Sequence, residues 1–327
     1  MKFSLIVPTF GRPEEVTEFL ESLLKQEYDD FEVIISDGTP GDTLRPELQR
    51  FLGNSTYPLT IHYEEFLPVS DARNDGARIA RGEYLIFLDS DCIIPPDYLK
   101  KVEKGLQETG FEVFGGPDAA HKDFTHLQKA ISYSMTSLFT TGGIRGGKKR
   151  VGVFHPRGFN MGVHRKAFES VGGYSSFRCG EDIELSIRLI KAGFKTGLIP
   201  EAYVFHKRRT SLKQFYRQVF RFGAARINIW KRHPEELKLT HLFPSAFVLF
   251  TLLSIALVFT GIPYRFLPIQ LVGIYLFLIM VDSTIRNKSL LVGDLSVLTS
   301  LTMMFGYGIG FLKNAWAVII KGQPLKL

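Results

Sequence analysis

Asp89 and Asp91 stand one residue apart at the end of the run Tyr84-Leu85-Ile86-Phe87-Leu88. Five apolar residues in sequence read as a strand buried on both faces, as in a parallel sheet. The two carboxylates then fall at the carboxyl edge of that sheet, where open α/β sheets take their ligands. Hard cations bind through one or two carboxylates plus the oxygens of a substrate phosphate. The pair therefore reads in two ways: as a holder of a divalent cation against a diphosphate, or as a polar strand exit with solvated aspartates. A second acid pair, Glu181-Asp182, opens the helical pattern Glu181–Ala192, which Gly193 closes as a C-cap. Acids in a first turn complement the helix dipole, so spacing alone gives this pair no further role.

The elements that would position these acids follow from periodicity. Strand signals lie at Phe3–Val7, Phe31–Ser36, Leu59–Tyr63, Tyr84–Leu88 and Phe111–Phe114. Helical patterns lie between them at Glu14–Gln26, Pro46–Phe51, Asp71–Ala80 and Pro96–Gln107. Such alternation predicts βαβ units, right-handed crossovers and a mostly parallel sheet. The stretch Thr140–Lys149, rich in Gly and Lys/Arg, reads as a loop.

The 327 residues carry a net charge of +7 and suggest about two domains. Met1-Lys2 leads directly into a strand with no leader pattern, so the first domain is expected in the cytoplasm. Cys92 and Cys179 have no metal-ligand spacing and suit a reducing compartment as core filler. Lys207 to Lys238 holds ten Lys/Arg against two acids, within a helical pattern at Ser211–Trp230. Its apolar face carries Leu212, Phe215, Tyr216, Val219 and Phe220, and the whole reads as an interfacial helix beside anionic lipid head groups. Nucleic acid is excluded as a partner, because the basic run leads directly into apolar segments at Phe243–Ile262, Phe266–Val281 and Leu290–Leu312. The first and third match a bilayer core of about 30 Å. Lys231, Arg232 and Lys238 place the preceding domain inside by charge bias, while Lys313, Lys321 and Lys326 leave two and three spans both open.

Over Phe3–Arg226 the chain resembles the family 2 glycosyltransferases of the GT-A fold. The resemblance rests on Val7-Pro8-Thr9-Phe10-Gly11-Arg12, Ile35-Ser36-Asp37-Gly38-Thr39, Ser70-Asp71-Ala72-Arg73-Asn74-Asp75-Gly76, the Asp89/Asp91 pair, Gly158–Phe168, Gly180-Glu181-Asp182 and Val204–Arg209. It implies a Rossmann-like, mostly parallel sheet over 1–210, an amphipathic interface helix over 211–240, and a small helical membrane region over 241–327. It further implies inverting transfer of a sugar from a nucleotide-diphosphate donor, UDP- or GDP-linked, to a lipid-linked or saccharide acceptor at the inner (cytoplasmic) membrane.

By the same resemblance, donor contacts fall to Pro8, Thr9, Asp37, Arg73, Asp89, Arg208 and Arg209. A Mg2+ or Mn2+ ion falls to Asp91, Asp89 and His206. Asp182 is implied as the base that takes the acceptor's proton, with Glu181 orienting the acceptor. Asn160 and Gly162 fall on the acceptor side. Gln218-Val219-Phe220-Arg221-Phe222 resembles the Gln-x-x-Arg-Trp motif of processive synthases, which adds Gln218 and Arg221; Phe222 departs from its tryptophan. Three other readings fit these residues: a polyprenyl-phosphate sugar synthase, a short processive polysaccharide synthase, and a non-catalytic nucleotide-sugar-binding subunit.

Overall fold

Phe3–Thr9 and Phe31–Asp37 are buried at every position, so neither strand has a solvent face. Strands of this kind form the interior of a sheet covered on both sides. The computed structural model of the chain describes residues 1–119, 124–141, 154–177 and 179–323. The first half runs β1 (Phe3–Thr9), α1 (Pro13–Leu23), β2 (Phe31–Asp37), α2 (Leu44–Leu48), β3 (Leu59–Tyr63), α3 (Val69–Ile79), β4 (Tyr84–Leu88), β5 (Cys92–Ile93), α4 (Tyr98–Thr109), β6 (Val113–Gly115) and β7 (Asp118–Ala119). It continues with α5 (His126–Thr136), α6 (Leu138–Thr141), β8 (Asn160–His164), α7 (Arg165–Ser170), α8 (Glu181–Lys191), β9 (Thr196–Leu198) and β10 (Val204–His206). Then come α9 (Leu212–Arg232), α10 (Leu239–Val258), α11 (Leu267–Asn287) and α12 (Leu290–Ala315).

Two compact units result. The first comprises Met1–His121 and Val153–Lys207, the second Lys122–Gly152 and Arg208–Leu327. In the first, a seven-stranded sheet has the order β3-β2-β1-β4-β8-β6-β9. β1 pairs in parallel with β2 and β4, β2 with β3 and β6 with β9, whereas β8 runs antiparallel between β4 and β6. Side chains alternate between the faces with the two-residue period of a strand. Leu5, Val7, Val33, Ile35, Ile86 and Leu88 pack with α1 and α4 through Val16, Phe19, Leu20, Leu99 and Val102. Ile6, Ile34, Leu85 and Phe87 pack on the other face with Ala77, Phe168, Leu185 and Leu189 of α3, α7 and α8. A small second sheet, β5-β10-β7, lies beyond the end of β4, and its antiparallel β5–β10 pairing sets His206 opposite Cys92.

The second unit is helical, and α12 is its axis. α5 docks there through hydroxyls: Ser134 Oγ lies 2.6 Å from Thr299 Oγ1 and 3.1 Å from Ser300 Oγ. Tyr133 donates to Asp282 of α11 at 2.7 Å, and Arg286 holds the same carboxylate. Among the described residues, three helices are long and apolar enough to cross a membrane: Leu239–Val258, Leu267–Asn287 and Leu290–Ile320. All three differ from the sequence expectation in their ends, the first lying four residues earlier than Phe243–Ile262. The second runs past Val281 because Asp282 has its partners in Tyr133 and Arg286. The third continues past Leu312 to Ile320, and the Lys313 ammonium lies 5.9 Å from the centre of the Phe220 ring. The loop expected at Thr140–Lys149 is α6 at its first two residues, and the remainder lies outside the described residues.

α9 is amphipathic as expected. Its buried face, Phe215, Val219, Gly223 and Ile227, lies toward α12, and Lys213, Arg217 and Arg221 are exposed. The approach is close because both helices carry glycine at the crossing. A Cβ on Gly223 would stand 2.0 Å from the Tyr307 carbonyl oxygen, and one on Gly310 would stand 2.2 Å from that of Phe220. Gly223→Val is therefore expected to cost about 1–3 kcal/mol through overpacking. Thermal unfolding in detergent checks this, with Gly261→Ala as control, since nothing lies within 4 Å of a Cβ there. Equal melting points for the two variants would contradict the close crossing.

Candidate active site

The site grows from chain ends. β4 terminates at Leu88, so Asp89 and Asp91 leave the sheet at its carboxyl edge, beside the end of β1. α8 begins at Glu181, after Gly180 at φ +83°, a backbone conformation suited to glycine. α3 carries Arg73 into the space between these two acid pairs.

Arg73 is the connection. Its guanidinium donates from Nη1 to Glu181 Oε1 at 2.7 Å and from Nη2 to Asp89 Oδ1 at 3.0 Å. The Arg73 side chain is only 4% exposed, and the Tyr174 ring lies 5.2 Å from its central carbon. Gly158 leaves the room this requires, since a Cβ there would stand 2.7 Å from Nη2. Burial works against the Arg73 charge, but the field of Tyr174, Glu181, Asp89 and Asp182 outweighs it and raises the pKa. Burial also raises the pKa of Glu181; Arg73 opposes the shift and Asp182 adds to it.

Tyr174 is itself fixed by α3. Asn74 Nδ2 donates to the Tyr174 carbonyl at 2.9 Å, and Asn74 Oδ1 accepts from the Tyr174 N–H at 2.9 Å. Asp182 is partly exposed. It accepts from the Gly158 N–H at 3.0 Å and from the Ile183 N–H at 2.7 Å, which leaves the carboxylate oriented at the first turn of α8.

Asp91 is more enclosed than Asp89, with side chains 5% and 36% exposed. Asp91 Oδ1 lies 3.0 Å from His206 Nε2, and Arg12 Nη1 donates to Oδ2 at 3.4 Å. The His206 ring stacks on Phe159, centroids 4.9 Å apart at 22°. Ligand atoms of Asp91, Cys92 and His206 lie within 4.8 Å of one another. A carboxylate with an imidazole suits Mn2+ or Mg2+-type chemistry at the oxygen and borderline metals at the nitrogen. Burial, with Asp91 and Asp89 adding, pushes the Cys92 thiol well up. Soft sulfur is a poor ligand for hard cations such as Mg2+ or Mn2+, so the fit for these is to Asp91 and His206.

Asp37 ends β2 and is fully buried. Thr39 donates to its Oδ1 from the backbone N–H at 2.9 Å and again from the hydroxyl, while Oδ2 has no partner among the described residues. Burial raises its pKa against the two Thr39 bonds. Thr9 Oγ1, paired across from Asp37 in the β1–β2 register, is likewise buried without a partner among the described residues. Pro8 lies within buried β1.

Several expected residues have structural partners of their own. Arg73, expected at the nucleotide or its phosphates, braces the two acid pairs through one bond each from Nη1 and Nη2, while its Nε has no partner among the described residues. Asn160 points into the core, where Nδ2 donates to Ala202 O at 2.8 Å and Oδ1 accepts from Tyr98 at 2.7 Å. Gly162 is a packing position, since a Cβ there would stand 1.9 Å from the Phe114 ring. Arg208, Arg209, Gln218 and Arg221 belong to the second unit, the latter two on α9. Arg12, Phe159 and Tyr174 received no role from sequence; Arg12 at least sits in the quoted Val7–Arg12 stretch.

Residues 4–172, more than half of the chain, match the family described as glycosyl transferase family 2. One relative, from Methanococcus voltae, is a dolichyl N-acetyl-α-D-glucosaminyl phosphate 3-β-D-2,3-diacetamido-2,3-dideoxy-β-D-glucuronosyltransferase. It is 27% identical over 292 residues, covering 86% of each chain. The succinoglycan biosynthesis protein ExoA of Rhizobium meliloti is 26% identical over 65% of each. Among solved structures, the mannosyltransferase PcManGT from Pyrobaculum calidifontis, in complex with GDP-Man and Mn2+, is similar with a TM-score of 0.64 at 18% identity. That likeness covers 96% of this chain and 87% of the other and bears on the fold alone.

Proposed function

Since the chain belongs to glycosyl transferase family 2, we propose that it transfers a sugar, with inversion, from a nucleotide-diphosphate donor to a lipid-linked saccharide at a membrane surface. One observation carries the reading: a buried arginine joins the Asp89/Asp91 pair to the Glu181/Asp182 pair, which are far apart in sequence. Donor-side and acceptor-side carboxylates are thereby held to one guanidinium.

The unpartnered oxygens of Asp37 and Thr9 at the ends of β2 and β1 supply acceptors for donor groups of the base or ribose. Asp91 and His206 would hold the divalent cation, with Asp89 beside them. Such a cation supplies electrostatic stabilisation of the negative charge that develops on a departing diphosphate. Arg12 brings further positive charge to the Asp91 side. Asp182, oriented by the Gly158 N–H, takes the proton of the acceptor hydroxyl as that oxygen attacks the anomeric carbon from the face opposite the leaving group. Arg73 keeps Glu181 in place beside it. The name of the Methanococcus voltae relative, which specifies a dolichyl phosphate-linked sugar, supports a lipid-linked acceptor. The three apolar helices support a membrane location. The charge bias of Lys231, Arg232 and Lys238 before the first of them supports a catalytic unit on the cytoplasmic side.

The reading is tested by thermal stabilisation of the detergent-purified chain with UDP, GDP, CDP and dTDP, each with Mn2+ or with EDTA. Ligand that binds only the folded state raises apparent stability by mass action. One nucleotide is expected to raise the melting point in Mn2+ and much less in EDTA. Asp91→Ala and His206→Ala should each abolish the difference between the two conditions. A nucleotide shift that survives EDTA and both substitutions would remove the metal from the donor site.

A further inference from the structure

A second group of potential ligands lies away from Asp91, at the edge of the large sheet. β3 is the edge strand, and His62 stands in register with Ser36 of β2. Ser36 Oγ would lie 2.9 Å from a Cβ on Gly76, so this face of the strands looks at α3. α3 brings Asp75 to His62, and the chain leaving β3 adds Glu64.

Ligand atoms of His62, Glu64 and Asp75 lie within 4.8 Å of one another. His62 Nε2 is 3.7 Å from Asp75 Oδ2, too long for a hydrogen bond. Two ligands on a tetrahedral Zn2+ with bonds of 2.0–2.2 Å stand about 3.3 Å apart, close to that gap. His62 Nε2 is buried and has no hydrogen-bond partner among the described residues. The other Asp75 oxygen is held by Arg78, whose side chain is 72% exposed, so that solvent weakens its repulsion of a cation on the same carboxylate. Two carboxylates and one imidazole on an ion of charge +2 leave no excess charge from the ligands themselves.

We propose that His62, Glu64 and Asp75 form a second divalent-cation site, of the borderline Zn2+ class, at the β3–α3 edge. Its consequence lies in what Glu64 is tied to. The Glu64 N–H donates to Asp37 O at 3.1 Å, and the Phe66 N–H to Gly38 O at 2.9 Å. Phe66 itself has φ +60°, a strained value for a bulky residue. An ion gripping Glu64 stiffens the stretch that braces the Asp37 turn, without touching the residues proposed for donor or acceptor chemistry.

The experiment uses the full chain, stripped with EDTA and titrated with Co2+ alone, then displaced with Zn2+. Wild type should take up two equivalents, one with the visible absorption of a low-symmetry Co2+ site. His62→Ala should take up one and lose that absorption, whereas Asp91→Ala should retain it. Glu64→Ala, at an exposed position, should weaken Co2+ binding by 10-fold or more with no change in metal-free melting. If only the Asp91 site fails, wild type takes one equivalent and His62→Ala none, which leaves the edge site standing. Equal stoichiometry and equal spectra for wild type and His62→Ala overturn it.

Discussion

Asp182→Asn is expected to lower kcat by about 10²- to 10⁴-fold, the usual contribution of a positioned general base. The effect should fall on kcat rather than on donor affinity, because an interaction made only in the transition state lowers kcat and kcat/KM together. Asparagine keeps one acceptor for the two N–H groups of Gly158 and Ile183, so the folding cost is about 1 kcal/mol. The nucleotide-induced shift in melting point should be unchanged. Single-turnover transfer to a lipid-linked saccharide measures the step directly. A variant that keeps most of its activity would mean that the attacking oxygen arrives ionised. That outcome would move the acceptor class from a sugar hydroxyl to a lipid phosphate.

Arg73→Met is expected to destabilise the first unit by about 3 kcal/mol. Removing one partner of a buried ion pair leaves the other charge uncompensated, which typically costs 3–5 kcal/mol. The lower end applies because Asp89 is 36% exposed and recovers water, whereas Glu181, at 13%, does not. Arg73→Met/Glu181→Gln should regain much of the loss, since the second change removes the stranded charge. Thermal or urea unfolding of the two variants, read against Glu181→Gln alone, gives the coupling. Melting of Arg73→Met within a degree or two of wild type would deny Arg73 the role of brace. Arg73→Lys should also fall short of wild type, because a single ammonium cannot reproduce the two-pronged geometry toward Glu181 and Asp89.

Local patterns made the strands of the parallel half legible. Leu59–Tyr63 and Tyr84–Leu88 occur as expected to the residue, and Phe3–Val7 and Phe31–Ser36 fall one or two residues short of their ends. These strands are rich in β-branched and aromatic residues and bounded by turns, so their signal is contained in their own residues. The carboxyl-edge position of Asp89 and Asp91 followed from the same pattern. What stayed hidden depends on partners distant in sequence. Asn160 is a core residue because Tyr98 and Ala202 consume its amide, and neither neighbours it in the chain. Arg73 reads as a phosphate ligand until Glu181, 108 residues away, is seen beside it. β8 runs antiparallel between β4 and β6, an order that no strand's own composition encodes. α5 lies between two halves of the α/β unit in sequence but groups with the helical one, through hydroxyls some 165 residues apart.

The α9–α12 crossing also orders events in time. Asn314 of α12 donates to the Ala224 carbonyl and to Asn228 of α9, across 90 and 86 residues. At roughly 5–20 residues per second on the ribosome, α9 waits on the order of 5–20 s for the helix that covers Phe215, Val219 and Ile227. During that interval its apolar face is available to chaperones, to the bilayer surface and to other nascent chains. The glycines that let α12 seat so closely also mean that seating cannot be approximate. Synthesis that stalls just before α12 leaves a nearly complete chain with an adhesive, positively charged helix, a form that quality-control proteases can recognise.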